Sequence, residues 1–127
     1  MHISTIGLLT ILLPTIAVGA ILESKSWKDF ESMMTKGGTY CLLLVWKIHL
    51  NENLDFLKVP CDKYPSVKCF YGLEGATTQE STSFDLHFNN IAIPAFAFFK
   101  DGKQVKMFDR KTSIYETEIE AEMKALQ

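Results

Sequence analysis

Apolar and polar residues alternate along the chain in blocks that predict helices and strands in turn. Apolar residues recur at helical spacing from Trp27 to Met34, and Ser26 with Asp29 has the form of a capping box. These features predict a first helix over residues 26–36. The continuous apolar run from Tyr40 to Trp46 is too short for a good helix and is typical of a central strand that is covered on both faces.

The middle of the chain predicts a second helix and a second strand. Asn51 or Asn53 is a suitable cap for this helix. Pro60 removes a backbone donor, so it is expected to kink or shorten the helix, which Pro65 ends. The next strand is predicted over Val67 to Tyr71.

Polar and turn-forming residues then separate these elements from a hairpin. Residues 72–83 are predicted to be a surface loop, followed by a short helix around residues 84–88. Pro94 is expected to open a strand and Asp101-Gly102 to form a hairpin turn. The second strand of the hairpin is predicted over Gln104 to Phe108.

A last amphipathic helix completes the predicted domain. Ser113 and Glu116 have the form of a second capping box. Four residues then share one helical face: Tyr115, Ile119, Met123 and Leu126. With a short strand at Ile21 to Glu23, the order of elements predicts two layers of helices on a mixed sheet, in one domain.

The first 20 residues have the composition of a secretory signal peptide. They contain no Lys, Arg, Asp or Glu, and Val18-Gly19-Ala20 supplies the small residues that favour signal-peptidase cleavage. We predict a cleaved signal over residues 1–20 and a domain over residues 21–127 that is secreted or stays in the secretory-pathway lumen. An uncleaved anchor, which would attach the protein to a membrane, and a buried N-terminal element are the alternatives.

Charge and motifs narrow the classes of partner. The 13 basic and 15 acidic residues are spread along the chain and give a net charge of -2, which argues against binding to nucleic acid. The sequence has no glycine-rich phosphate loop, nucleophile elbow or zinc-ligand spacing, so we predict no cofactor and no metal. His49, Glu52 and Asp55 have side chains that could serve as a metal or general-base group, but a solvated helix start explains them better.

Cys41, Cys61 and Cys69 are an odd number, so in an oxidising compartment at least one is free or paired outside the chain. Apolar neighbours suggest that Cys41 and Cys69 are small core residues. Cys61, between Pro60 and Asp62, is the better candidate for a reactive thiol. A structural disulfide between Cys61 and Cys69 is the alternative, and its geometry cannot be established from sequence.

One segment resembles the thioredoxin superfamily. The run Ile93-Pro94-Ala95-Phe96-Ala97-Phe98-Phe99-Lys100-Asp101-Gly102 is similar to the family's stretch from its cis-proline through a strand to a turn glycine. Leu42 to Trp46 and Lys63 to Val67 add weaker similarity. The resemblance covers residues 21–127. It implies an α/β fold, with a central mixed sheet flanked by helices, and a cis Ile93–Pro94 bond beside the family's active site.

The same resemblance points to a site that lacks the family's chemistry. Counting back without gaps places Trp46 before the family's Cys-x-x-Cys, with Lys47 and Leu50 in the two cysteine positions; another register places the site within residues 50–53. Neither register contains a cysteine, and disulfide exchange needs a thiolate. We call the following residues the degenerate site: Trp46, Lys47, Ile48, His49 and Leu50.

The resemblance also suggests a function. In redox members of the family, the backbone beside the proline pairs with peptide substrates. We therefore expect a protein without dithiol chemistry that binds a protein or peptide through Trp46, Ile93 and Pro94. In one alternative, Cys61 makes the protein a monothiol oxidoreductase or a redox sensor. In another, Pro94 is retained only for the turn that it forms, and the fold is a scaffold without a binding function at this site.

Overall fold

The computed structural model describes residues 20–127, so the predicted signal segment lies outside the described residues except for Ala20. The described part forms a five-stranded sheet with helices packed on both faces. Within it, no helix has the length and apolar character needed to cross a membrane. In chain order the elements are β1 Ile21–Glu23, α1 Trp27–Met34, β2 Thr39–Trp46, α2 Leu50–Lys63, β3 Val67–Glu74, α3 Ser83–His87, β4 Ala95–Lys100, β5 Lys103–Phe108 and α4 Glu116–Leu126.

The sheet is mixed, as the order of elements predicts. Its strand order is β1-β3-β2-β4-β5. β1, β3 and β2 are parallel, whereas β4 is antiparallel to both β2 and β5. The central strand β2 therefore joins the parallel half to the hairpin half. At its end, Trp46 lies opposite Glu74 of β3, while Leu44 lies opposite Ala95 of β4.

The apolar run of β2 serves two cores because successive side chains point to opposite faces of a strand. Cys41, Leu43 and Val45 face a core that includes residues of α2 and α4. Tyr40, Leu42 and Leu44 face a core that includes residues of α1 and α3. The prediction of a strand buried on both faces is confirmed.

The third strand is longer than predicted, and this corrects the loop prediction for residues 72–74. β3 continues through Gly72 and Leu73 to Glu74, fully paired with β2. Gly72 belongs to the strand because the Phe84 ring packs directly over it. A Cβ atom at Gly72 would lie 2.6 Å from that ring.

The caps predicted for the helices α2 and α4 are both corrected. α2 begins at Leu50 after a 3-10 turn over Lys47–His49, so neither Asn51 nor Asn53 caps it, and it continues through Pro60 to Lys63. α4 begins after Tyr115 rather than Ser113. The Tyr115 N–H donates to the Glu118 carboxylate at 3.4 Å, and its ring, predicted to share the packed face, is 61% exposed.

Candidate functional site

The degenerate site lies where β2 passes into α2. Trp46 ends the strand and Lys47, Ile48 and His49 form the 3-10 turn before the helix. Ile48 is 82% exposed, whereas Leu50 is half-buried and packs against the core shared with α2 and α4. The segment therefore presents one large apolar side chain to solvent, beside the half-buried ring of Trp46.

Hydrogen bonds hold the start of α2 in place. The imidazole Nδ1 of His49 lies 2.7 Å from a Glu52 carboxylate oxygen, and the Asn53 amide donates to the His49 carbonyl at 2.8 Å. Both partners of the imidazole–carboxylate contact are substantially exposed. Among residues 20–127, no group of three or more His, Cys, Asp or Glu side chains is placed to hold a metal ion.

Ile93 and Pro94 lie beside this segment, immediately before β4. The peptide bond between them is cis. The neighbouring Ala92 is hydrogen-bonded on both sides: its carbonyl accepts from the Arg110 N–H at 2.9 Å, and its N–H donates to Asp109 Oδ2 at 3.3 Å. No hydrogen bond joins the backbone N–H or carbonyl of Ile93 to another residue of the described chain. Among residues 20–127, the Ile93 N–H and carbonyl are therefore an unpaired donor and an unpaired acceptor on a residue that is 8% exposed.

Two clefts border this pair of residues. The first, of about 740 Å³, lies between the start of α2 and the loop before α4. Phe56, Pro94, Phe96 and Ile114 supply its apolar lining, and His49, Glu52, Asn53 and residues 110–113 its polar lining. The second cleft, of about 450 Å³, is lined by Trp46, Glu74, Gly75, Asp85, residues 91–93 and Arg110. The predicted binding residues Trp46, Ile93 and Pro94 are therefore neighbours in space.

The cysteines lie away from both clefts, and of the two interpretations of Cys61 the structure supports the structural disulfide with Cys69. Cys61 on α2 and Cys69 on β3 form a disulfide with 6.4 Å between their Cα atoms, and both are buried. Cys61 is thus not a free reactive thiol, and Cys69 is not an isolated core thiol. Cys41 is free but fully buried, and burial raises the pKa of its thiol far above the ordinary value.

Glu74 and Asp85 form a carboxyl pair that the sequence did not reveal. Glu74 is only 8% exposed, and burial, followed by the charge and hydrogen bond of Asp85, raises its pKa to about 8. At neutral pH the Glu74 carboxyl is therefore largely protonated, and its buried Oε2 has no hydrogen-bond partner among residues 20–127. Asp85 Oδ2 accepts the N–H groups of Gly75 at 2.8 Å and Thr82 at 2.7 Å.

One part of this arrangement has a sequence signal. Thr82 and Asp85 form the capping box of α3, in a Thr-x-x-Asp pattern that runs from the end of the predicted loop into the predicted short helix. Glu74 has no such signal, since a glutamate next to Gly75 is typical of an exposed loop. Its burial follows from the two additional paired positions at the end of β3.

Solved structures with similar architecture are numerous, although their sequences are distant. Thioredoxin from Trypanosoma brucei brucei superposes with a TM-score of 0.68 at 9% identity, covering 90% of this chain and 96% of that one. Thioredoxin O2 from Arabidopsis thaliana gives 0.62 at 17% identity, covering 88% and 98%. A chain from a structural study of thiol resolution in yeast mitochondrial 1-Cys peroxiredoxin gives 0.68 at 16% identity, covering 87% and 100%.

Comparison of sequences adds no relative: no family model matches the chain, and no curated protein is similar to it in sequence. At the identities above, structural similarity defines the fold and carries no statement about activity.

Proposed function

We propose that this chain, which has a thioredoxin-like fold, is a secreted protein that binds an extended segment of a protein or peptide beside Pro94 and performs no dithiol chemistry. The observation that carries the proposal is the unpaired backbone of Ile93, between two clefts. A free N–H and a free carbonyl on one residue are what strand addition uses, because an added strand gains its affinity from main-chain hydrogen bonds.

The surroundings of Ile93 support the same function. Trp46 lines the second cleft and Pro94 the first, so side chains on either side of a bound strand would find a separate pocket. Ile48, exposed at the neighbouring turn, adds apolar area beside them. Side-chain pockets of this kind provide selectivity where the backbone contacts provide none.

The placement of sulfur argues against disulfide exchange as the activity. Neither cleft is lined by a cysteine. The Cys61–Cys69 disulfide is buried in the core, and the Cys41 thiol is buried and kept protonated by its raised pKa. A nucleophilic thiolate needs partial exposure and a lowered pKa, which none of these residues has.

The proposed location rests on two features. The first 20 residues have the composition of a signal peptide, and the Cys61–Cys69 disulfide is of a kind that persists in oxidising compartments. Together they support export to the secretory pathway and release from the cell.

A scan of peptide N-methylation tests the binding function. A random library of eight-residue peptides is selected on the immobilised full chain, and the tightest binder is synthesised with a single N-methyl group at each position in turn. Since the Ile93 carbonyl accepts one peptide N–H, methylation at one position is expected to weaken binding about tenfold, because the carbonyl loses its partner. Calorimetry measures the affinities.

The methylated peptides control one another, because they differ only in the position of one methyl group. Methylation of the two adjacent N–H groups is expected to change affinity much less than methylation at the paired position. Selection of no binding peptide, or tolerance of N-methylation at every position, would contradict the proposed strand addition.

A further inference from the structure

We propose that the first cleft selects a peptide in which an apolar residue and an acidic residue are two positions apart, the acidic carboxylate being bound by the Arg110 guanidinium. This inference rests on the binding function proposed above and deepens it by naming the chemistry of the ligand. It depends on how Arg110 is positioned, which acidic groups surround it and what lines the rest of the cleft.

Arg110 is held beside Ile93 by a set of backbone hydrogen bonds. Its own N–H donates to the Ala92 carbonyl at 2.9 Å. Asp109 joins the same two segments, since its carboxylate accepts the N–H groups of Ala92 at 3.3 Å and Lys111 at 3.0 Å. The Lys111 ammonium group donates to the carbonyl of Asn90. Two basic residues are therefore fixed next to the unpaired backbone.

The guanidinium of Arg110 is available to a ligand. It takes part in none of the ion pairs or side-chain hydrogen bonds within residues 20–127. The acidic groups that line the clefts are not its partners: Glu52 contacts the His49 imidazole, Asp85 accepts the N–H groups of Gly75 and Thr82, and the buried Glu74 is largely protonated at neutral pH. A guanidinium binds a carboxylate through two parallel hydrogen bonds, which makes a carboxylate its best-matched ligand group.

The apolar part of the first cleft lies beside this charge. Phe56 and Phe96 pack with their ring centroids 5.5 Å apart, and Pro94 and Ile114 extend the same lining. A cleft of about 740 Å³ is large enough for more than one side chain. Residues two positions apart in a strand point to the same side, so an apolar and an acidic side chain at that spacing can share the cleft.

The basic residues distinguish the two clefts. Each cleft is lined by a carboxylate, Glu52 in the first and Asp85, beside the largely protonated Glu74, in the second. Arg110 borders both clefts, but only on the first side is it joined by Lys111. The charges of the two clefts therefore direct an acidic side chain into the first cleft.

A charge-reversal experiment on the selected peptides tests the inference. Peptides selected on the full chain are expected to be enriched in Asp or Glu two positions from an apolar residue. Against such a peptide, Arg110→Gln is expected to weaken binding about tenfold, whereas against its Glu→Gln derivative the same substitution changes affinity less than twofold. Arg110→Lys keeps the positive charge but not the paired donors. Its affinity for the acidic peptide is expected to lie between those of the natural chain and Arg110→Gln.

The matched control is Lys28→Gln, which removes a positive charge from an exposed position on α1. This substitution is expected to leave unchanged the affinities for the acidic peptide and for its Glu→Gln derivative. Selected peptides that bind with the predicted N-methyl pattern but show no acidic enrichment and no effect of Arg110→Gln would overturn this inference and leave the proposed function intact. Failure to select any peptide would overturn the proposed function itself.

Discussion

Replacing Cys61 and Cys69 together with alanine is expected to lower the free energy of unfolding by about 3 kcal/mol. The disulfide joins α2 to β3 across eight positions of sequence and lies in the core that also contains Val67 and Met123. The disulfide restricts the conformations that the unfolded chain can adopt. Removing it therefore raises the conformational entropy of the unfolded state and favours unfolding. Urea denaturation, followed by tryptophan fluorescence, measures the change.

Reductant and thiol counting provide the controls for this prediction. Dithiothreitol is expected to lower the stability of the natural chain to that of the double variant and to leave the variant unchanged. Alkylation of the unfolded, non-reduced chain is expected to label only Cys41. Three labelled thiols per chain, or a natural protein indifferent to reductant, would show that the disulfide is absent.

Glu74→Gln is expected to stabilise the protein at alkaline pH and to have little effect near pH 5. The pKa of Glu74 is raised to about 8 in the folded state, so between its unfolded value and pH 8 the folded state binds more protons than the unfolded state. Stability is therefore lost progressively as pH rises through this window. Each pH unit between pH 5 and pH 8 contributes at most about 1.4 kcal/mol, so the variant should gain up to about 4 kcal/mol by pH 8.5.

The glutamine variant preserves the shape of the carboxyl pair. Its side-chain amide stays uncharged at every pH, so it keeps the size of Glu74 without the carboxylate that forms as the pH rises. Glu116→Gln, which removes an exposed carboxylate at the start of α4, is the control for the loss of one negative charge. Parallel stability curves for the natural chain and Glu74→Gln between pH 5 and 8.5 would contradict the account of the pair.

The parts of the fold that the sequence predicts are those with strong local signals. The apolar run of β2 indicates a strand covered on both faces, and the Asp101-Gly102 turn indicates the hairpin of β4 and β5. The resemblance of residues 93–102 to the thioredoxin superfamily then identifies the architecture, which the structural comparisons confirm. In each case, adjacent residues carry the information.

The candidate site was less predictable because it depends on contacts between distant segments. The extent of β3, and with it the burial of Glu74, is determined by pairing with β2 and by Phe84 packing over Gly72. The pairing of Cys61 with Cys69 depends on how α2 is rotated over the sheet, which spacing alone does not define. Arg110 has no sequence motif and acquires its place through its bond to Ala92.

Pairing of the Ile93 backbone with a bound peptide can be followed by nuclear magnetic resonance. The ¹⁵N-labelled full chain is titrated with the tightest peptide from the selection, and amide shifts and hydrogen exchange are followed residue by residue. The account predicts that the Ile93 N–H shows one of the largest shifts, moves downfield and becomes protected from exchange, while the Lys28 amide on α1 is unchanged. An unperturbed Ile93 amide, with the shifts centred on another surface, would contradict it.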